Sequence, residues 1–283
     1  MAPDPTGAPS PAVPDPTLGR GPRRVLVTGA DSGIGKACAV ALAHDAEHVA
    51  VTWHADEDGA RRTADEIAQH GATAHVLHLD LTDPTSAPGV VDDAVTAMGG
   101  VDAVVLNAGT GTATPLLDVT WQQWRDVLAV DLDGAFLCLQ RSARHLVDQG
   151  TGGRIVAITS VHEHAPRVGA APYCAAKGGL GLLVKVAALE LAGHGITVNA
   201  VAPGEIATPM TDQEDESVLE GKERPGVPLG RPGDAREVAA VVRLLCGPEG
   251  GYVTGASWAV DGGMLTMGPM AGSHLTSDDW RRP

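Results

Sequence analysis

Short runs of aliphatic and β-branched residues alternate along this chain with longer segments whose apolar positions recur at helical spacing. Seven runs read as strands: RRVLVTG (23–29), HVAVTW (48–53), AHVLHLD (74–80), VDAVVLN (101–107), GRIVAITS (153–160), GITVNAVAP (195–203) and ASWAVDGG (256–263). Several are apolar at consecutive positions, the pattern of a parallel strand covered on both faces. Helical patterns fall between them, near 33–46, 56–70, 84–98, 121–149, 171–193 and 234–246. Thr120 and Gln123 form a capping-box start for the fourth, and Pro172 suits the first turn of the fifth. Strand–helix alternation with right-handed crossovers predicts an α/β fold: a Rossmann-like, doubly wound, seven-stranded parallel sheet with helices on both faces.

Outside that pattern lie two tails. Residues 1–22 are rich in Pro, Ala and Gly with almost no large apolar side chains, and read as a disordered N-terminal tail. Residues 264–283 form a C-terminal extension without clear periodicity, leaving 23–263 as one domain. The net charge of −15 repels nucleic acid and anionic membrane, so neither is expected as a partner. No apolar run reaches membrane-spanning length, and the acidic, proline-bearing start is unlike a secretory signal. Cys38, Cys138, Cys174 and Cys246 form no C-x-x-C pair, as expected of reduced thiols in the cytoplasm.

Candidate chemistry begins at the first strand–helix junction. VLVTGADSGIGKA (25–37) brings Gly29, Gly33 and Gly35 to a turn opening a helix. Glycine there admits a pyrophosphate to the backbone, and the helix start offers free N–H groups. Asp31, Ser32 and Ile34 belong to the same turn. A carboxylate at the end of the second strand would bind both ribose hydroxyls and repel a 2′-phosphate. Here Trp53 and His54 stand there, with Asp56 later. That favours NADP(H), with NAD(H) as the alternative; His54 is placed near the 2′-phosphate, and Arg61 and Arg62 are weaker candidates. His54 as a plain exposed loop histidine is nearly as good a reading.

Tyr173 and Lys177 are four residues apart on a predicted helix and share a face. A neighbouring ammonium favours a phenolate, so the pair can move a proton to or from an alcohol or carbonyl oxygen. Ser160 ends an adjacent strand, and its hydroxyl can hold the same oxygen.

TGADSGIG (28–35), Asp80 in LDLTD, NAG (107–109), Ser160, YCAAK (173–177), PGEIATPM (203–210) and VDGG (260–263) together resemble the short-chain dehydrogenase/reductase family over about residues 23–263. The resemblance implies an NAD(P)-dependent oxidoreductase of alcohols and carbonyls, with Ser160, Tyr173 and Lys177 catalytic. It places Asp80 and Leu81 near the adenine, and Asn107, Ala108 and Gly109 beside the sheet and cofactor. Lys177 would bind the nicotinamide ribose. Pro203, Gly204, Ile206 and Thr208 would face the nicotinamide and phosphate, with Val198 and Asn199 leading the strand toward them. A homotetramer is implied, with helices 121–149 and 171–193 packing across subunits.

The family usually carries an asparagine in the long helix that completes a proton relay to the lysine; VLAVDLDGAF (127–136) puts Asp131 there. Asp131 either stands in as a near-isostere, the reading preferred here, or pairs with Lys177 and weakens its effect on Tyr173.

SVHE (160–163), YVTG (252–255) and DGGM (261–264) are similar to bacterial glucose 1-dehydrogenases. This implies a sugar or polyol substrate with His162 and Glu163 at the pocket; an ordinary loop there is an equally good reading. A ketone reductase of secondary metabolism and a non-catalytic NADP-binding sensor or scaffold are the alternatives. No metal site is expected, because adjacent His162, Glu163 and His164 point in different directions, as do His75 and His78. The acidic segment 208–230 is expected to cover the substrate, and its charge does not suggest an anionic one.

Overall fold

A computed structural model describes residues 21–208, 210, 224 and 226–267. Nearly all of the N-terminal tail, most of the C-terminal extension and most of the covering segment lie outside the described residues. The strands are β1 Arg24–Val27, β2 His48–Trp53, β3 Thr73–His78, β4 Ala103–Leu106, β5 Gly153–Ile158, β6 Ile196–Pro203, β7 Ile206–Ala207, β8 Gly233–Asp234 and β9 Ser257–Val260. The helices are α1 Gly33–Ala43, α2 Glu57–Gln69, α3 Ser86–Met98, α4 Trp121–Leu128, α5 Ala135–Gln149, α6 Ala171–Leu191 and α7 Ala235–Cys246.

The main sheet has seven parallel strands in the order β3-β2-β1-β4-β5-β6-β9. The seven runs of the sequence pattern supply these seven strands. β1 and β4 are neighbours although two strands separate them in sequence, so the winding reverses there, and a crevice opens beyond their carboxyl ends. Opposite that crevice, Asp102 accepts the backbone N–H groups of Arg23 and Arg24 and pairs with the Arg24 guanidinium at 2.6 Å, which fixes the β1–β4 register.

Consecutive apolar residues in β1, β4, β5 and β6 serve two cores. One face packs Leu26, Val104, Ile155 and Val198 against α3, α5 and α6. The other packs Val25, Val27, Val105 and Val201 against α1 and α7. The Thr120–Gln123 capping box forms as expected, and Pro172 lies in the first turn of α6. The helical pattern 121–149 does not run straight through. A six-residue π-helical segment, Ala129–Gly134, separates α4 from α5, and it contains Asp131. Apolar periodicity does not distinguish one widened turn from a regular one, so the sequence gives no warning of it.

Candidate active site

The glycine turn and the NAG segment are stitched together at the crevice. Asn107 Nδ2 donates to the carbonyls of Thr28 at 3.1 Å and Gly29 at 2.7 Å. Thr28 Oγ1 accepts the N–H groups of Asn107 and Ala108 at 2.9 and 3.1 Å. Two glycines have no substitute here. Gly29 has φ +62°, and a Cβ on it would lie 2.8 Å from Ala108 Cα. A Cβ on Gly35 would lie 2.0 Å from the Gly29 carbonyl oxygen and 2.4 Å from Asn107 Nδ2.

Ser32 precedes α1 without capping it through its side chain, and the first turn of α1 carries no carboxylate. The amides of Gly33 through Gly35 thus open the helix at its positive end, with no side-chain cap from Ser32. This suits a pyrophosphate, and the residues present fit a dinucleotide.

At the ribose end, His54 follows β2 and is exposed, with Nε2 3.7 Å from Asp80 Oδ1 and its ring stacked on His78. Asp80 is held by Thr82, whose N–H and hydroxyl donate at 2.8 and 2.6 Å, and these bonds keep its carboxyl below the usual range. Leu81 beside it is buried. Asp56 caps α2 by accepting from the Gly59 amide at 2.8 Å. Half-buried Asp31 is pushed up by burial, with Asp56 as a further cause. Arg61 pairs with Glu57 and Arg62 with Asp56, so both guanidinium groups are engaged on α2.

Tyr173, Lys177 and Gly181 follow one another at four-residue spacing along one stripe of α6. Lys177 is 4% exposed, and its Nζ lies 5.6 Å from the Tyr173 ring centroid. The ammonium donates to Asp131 Oδ1 at 3.0 Å and to the Ile158 carbonyl at 3.2 Å.

Asp131 is wholly buried and also accepts the Thr110 amide at 3.1 Å. A Cβ on Gly109 would fall 2.6 Å from Asp131 Oδ1 and 3.3 Å from Lys177 Nζ, so the NAG glycine makes room for the pair. Burial pushes the Asp131 carboxyl up against the pull of Lys177. Burial alone would push Lys177 down, but Asp131, with Tyr173 and Glu163, more than reverses this and holds it above its ordinary value. The Lys177–Asp131 contact is the one the pairing reading requires.

Ser160 follows β5 and is buried; its hydroxyl accepts the His162 amide at 3.1 Å at the start of a 3-10 turn, Val161–Glu163. The His162 ring stands edge-on to Tyr173 with centroids 6.2 Å apart. Its Nδ1 lies 3.0 Å from the Ala165 carbonyl, so that nitrogen carries the proton. Burial pushes His162 down, favouring the neutral ring.

Glu163 departs from the expectation that it faces the pocket. Its side chain is 3% exposed and turned inward, accepting from Ser257 at 2.5 Å with His164 Nε2 at 2.8 Å. A three-residue 3-10 turn sends successive side chains in different directions, which separates Glu163 from His162.

Ile206 and Thr208 are buried beyond the end of β6. Pro203 ends that strand, and Gly204 lies against Asp261 and Met264, where a Cβ would come within 2.8 Å. Asn199 ties β6 to the approach to β9 through Val253 and Ala256. Thr110, the Ile158 carbonyl, Ser257 and Gly181 escaped the sequence reading: the first two act through backbone, Gly181 through small size, and Ser257 through a hydroxyl that meets Glu163 from far along the chain. No cluster of three or more metal-ligating side chains occurs among the described residues.

A sequence profile described as enoyl-(acyl carrier protein) reductase matches residues 29–265. The uncharacterized oxidoreductase YohF of Escherichia coli is 47% identical over 86% of this chain and 96% of that protein. Glucose 1-dehydrogenase 2 of Bacillus subtilis is 33% identical over 86% of this chain and 94% of its own. Among solved structures, acetoin dehydrogenase YohF from Salmonella typhimurium superposes with a TM-score of 0.83 at 48% identity, covering 88% of this chain and 98% of that one. A short-chain dehydrogenase from Burkholderia cenocepacia in complex with NADP gives 0.79 at 33% identity, covering 86% and 98%. With the cradle and the Ser160, Tyr173 and Lys177 arrangement, these matches identify the chain as a member of the short-chain dehydrogenase/reductase family, an NAD(P)-dependent oxidoreductase that interconverts alcohols and carbonyls.

Proposed function

We propose that this enzyme acts on a small, uncharged hydroxy-ketone or vicinal diol, with NADP(H) preferred over NAD(H). The observation that carries the chemistry is the buried Lys177 ammonium one helical turn from Tyr173. Tyr173 takes the proton of the alcohol during oxidation and returns it during reduction, with the Lys177 ammonium one turn away along the same stripe. Ser160 holds the reacting oxygen, and His162, neutral and edge-on to Tyr173, lines the substrate side. A bound nicotinamide supplies or accepts the hydride. The amides of Gly33, Ile34 and Gly35 would hold its pyrophosphate, with Asp80, Leu81 and Asn107 to Gly109 along the adenosine and ribose. Pro203, Gly204, Ile206 and Thr208 would line the nicotinamide side, and Lys177 would bind the ribose.

The acetoin dehydrogenase name of the Salmonella structure supports a hydroxy-ketone. The net charge of −15 disfavours an anionic substrate. The name of the Bacillus relative and the SVHE segment support sugar oxidation as a second reading. His54 at the end of β2, where no carboxylate stands, supports NADP(H).

The same proposal includes a cytoplasmic homo-oligomer, a tetramer by family resemblance. Leu182, Val186 and Leu189 on α6, with Trp121 on α4, are exposed apolar side chains suited to burial between subunits. The described cysteines are free, and no described helix is long and apolar enough to cross a membrane.

The test is a turnover panel: acetoin, diacetyl, simple ketones, glucose, rhamnose and polyols, each with both cofactors. Highest kcat/KM on the acetoin–diacetyl pair with NADP(H) is expected. Highest kcat/KM on an aldose would replace the hydroxy-ketone reading with the sugar one.

A further inference from the structure

We infer that Glu163 is a positioning residue whose buried carboxylate pins the turn carrying Ser160 and His162 to α6 and β9. The inference rests on the catalytic roles proposed for Ser160 and Tyr173. The turn is closed by the Glu163 amide on the Ser160 carbonyl at 2.9 Å, and by the His164 and Ala165 amides on Val161 at 3.0 and 2.9 Å. These bonds fix the local shape of the turn without fixing where it sits relative to Tyr173. Glu163 supplies that second constraint. Its Oε1 accepts the Ser257 hydroxyl at 2.5 Å and lies 2.8 Å from His164 Nε2, while His164 Nε2 and Ser257 Oγ are 3.0 Å apart. Ser257 opens β9 and is paired with Ala200 of β6, so the anchor reaches the sheet itself.

The other end of the carboxylate rests on the catalytic helix. A Cβ on Gly181 would lie 2.7 Å from Glu163 Oε2 and 2.9 Å from its carboxyl carbon. Gly181 is the next member of the Tyr173–Lys177 stripe, so the turn is seated directly on the row of side chains it must address. Oε2 is buried and makes no hydrogen bond among the described residues. A half-satisfied buried carboxylate costs free energy that an apolar side chain of the same size would avoid. Packing alone therefore does not account for glutamate here, whereas placing Ser160 and His162 against Tyr173 does.

The experiment compares Glu163→Ala, Glu163→Gln and Ser257→Ala with wild type for kcat, carbonyl KM, NADPH Kd by fluorescence and Tm. Glu163→Ala is expected to lose at least about tenfold in kcat with NADPH Kd within about twofold of wild type. Glu163→Gln, which still accepts from Ser257, should recover most of that loss. Adding Ser257→Ala to Glu163→Ala should cost nothing further, because the contact is already gone.

Full kcat in Glu163→Ala would overturn the inference. So would a loss of NADPH binding in step with Tm, which marks a merely structural role, or equal damage in Glu163→Gln. If wild type turns over no substrate, the functional proposal fails instead. The positioning claim is then judged from crystal structures of wild type and Glu163→Ala: a displaced Ser160–His162 turn supports it, and an unmoved turn overturns it.

Discussion

Replacing Asp131 by alanine leaves Lys177 as a buried ammonium without its counter-charge, and the consequences can be worked from the geometry. The two charged atoms are 3.0 Å apart. At an effective dielectric of about 20 that separation corresponds to about 5 kcal/mol of attraction. Much of it offsets the cost of drying both ions, so the pair adds far less than this to stability. Removing one member is the expensive change, at about 3–5 kcal/mol. A domain of ordinary stability has about 5–15 kcal/mol in total. The assay is urea unfolding by linear extrapolation, wild type against Asp131→Ala, at a series of pH values from neutral to alkaline.

The two proteins should differ in the sign of their pH dependence. In wild type Lys177 is held above its ordinary 10.5, so its contribution is intact below that value and is lost as pH rises through the folded value. In Asp131→Ala, burial, the largest single influence on Lys177, is opposed only by Tyr173 and Glu163, and lowers it. The unfolded state then binds the proton more tightly, and stability rises with pH until about 10.5. The gap between the two proteins should therefore be about 3–5 kcal/mol near neutrality and narrow toward alkaline pH. Buried thiols titrate equally in both and cancel in the difference. A gap below about 1 kcal/mol, the range of an exposed ion pair, would refute the reasoning. A gap of constant size across the pH series would refute it equally.

Asp131→Asn keeps one oxygen, which can accept from Lys177 and, at 3.3 Å, from the Thr110 amide, so turnover should stay within a few-fold of wild type or rise; steady-state rates check this, and a loss beyond about tenfold would give the carboxylate a role of its own. Gly35→Ala should raise the NADPH Kd at least about tenfold, because its Cβ strikes the Gly29 carbonyl and Asn107 Nδ2 at the mouth of the cradle; fluorescence titration on protein of unchanged circular dichroism would show it. His54→Asp should move the NADPH-to-NADH ratio of kcat/KM at least about tenfold toward NADH, equivalent to about 1.4 kcal/mol, by setting a carboxylate where the 2′-phosphate is proposed to lie.

The sheet was legible because its strands are apolar at consecutive positions and separated by helical patterns. Periodicity alone locates Val25–Val27, Val104–Leu106 and Ile155–Ile158. Glycine position and the Tyr173–Lys177 spacing located the crevice chemistry for the same reason: helix geometry converts a four-residue interval into a shared face. What escaped are features set by distance through space. The widened turn at Ala129–Gly134 leaves the apolar pattern intact and yet accompanies the complete burial of Asp131. Glu163 and His162 are neighbours in sequence, but a tight turn sends one inward to Ser257 and the other toward Tyr173. Ser257 and Gly181 carry no motif; one matters for its hydroxyl and the other for being small, both beside a carboxylate that arrives from elsewhere in the chain.

The most direct test of the account is the nicotinamide absorbance change catalysed by wild type and by Tyr173→Phe, under saturating cofactor and the best substrate of the panel. The account predicts robust wild-type turnover that falls at least about a hundredfold in Tyr173→Phe, with cofactor affinity unchanged. Turnover that survives the loss of the phenol, or an intact chain that binds cofactor and turns over nothing, would contradict it.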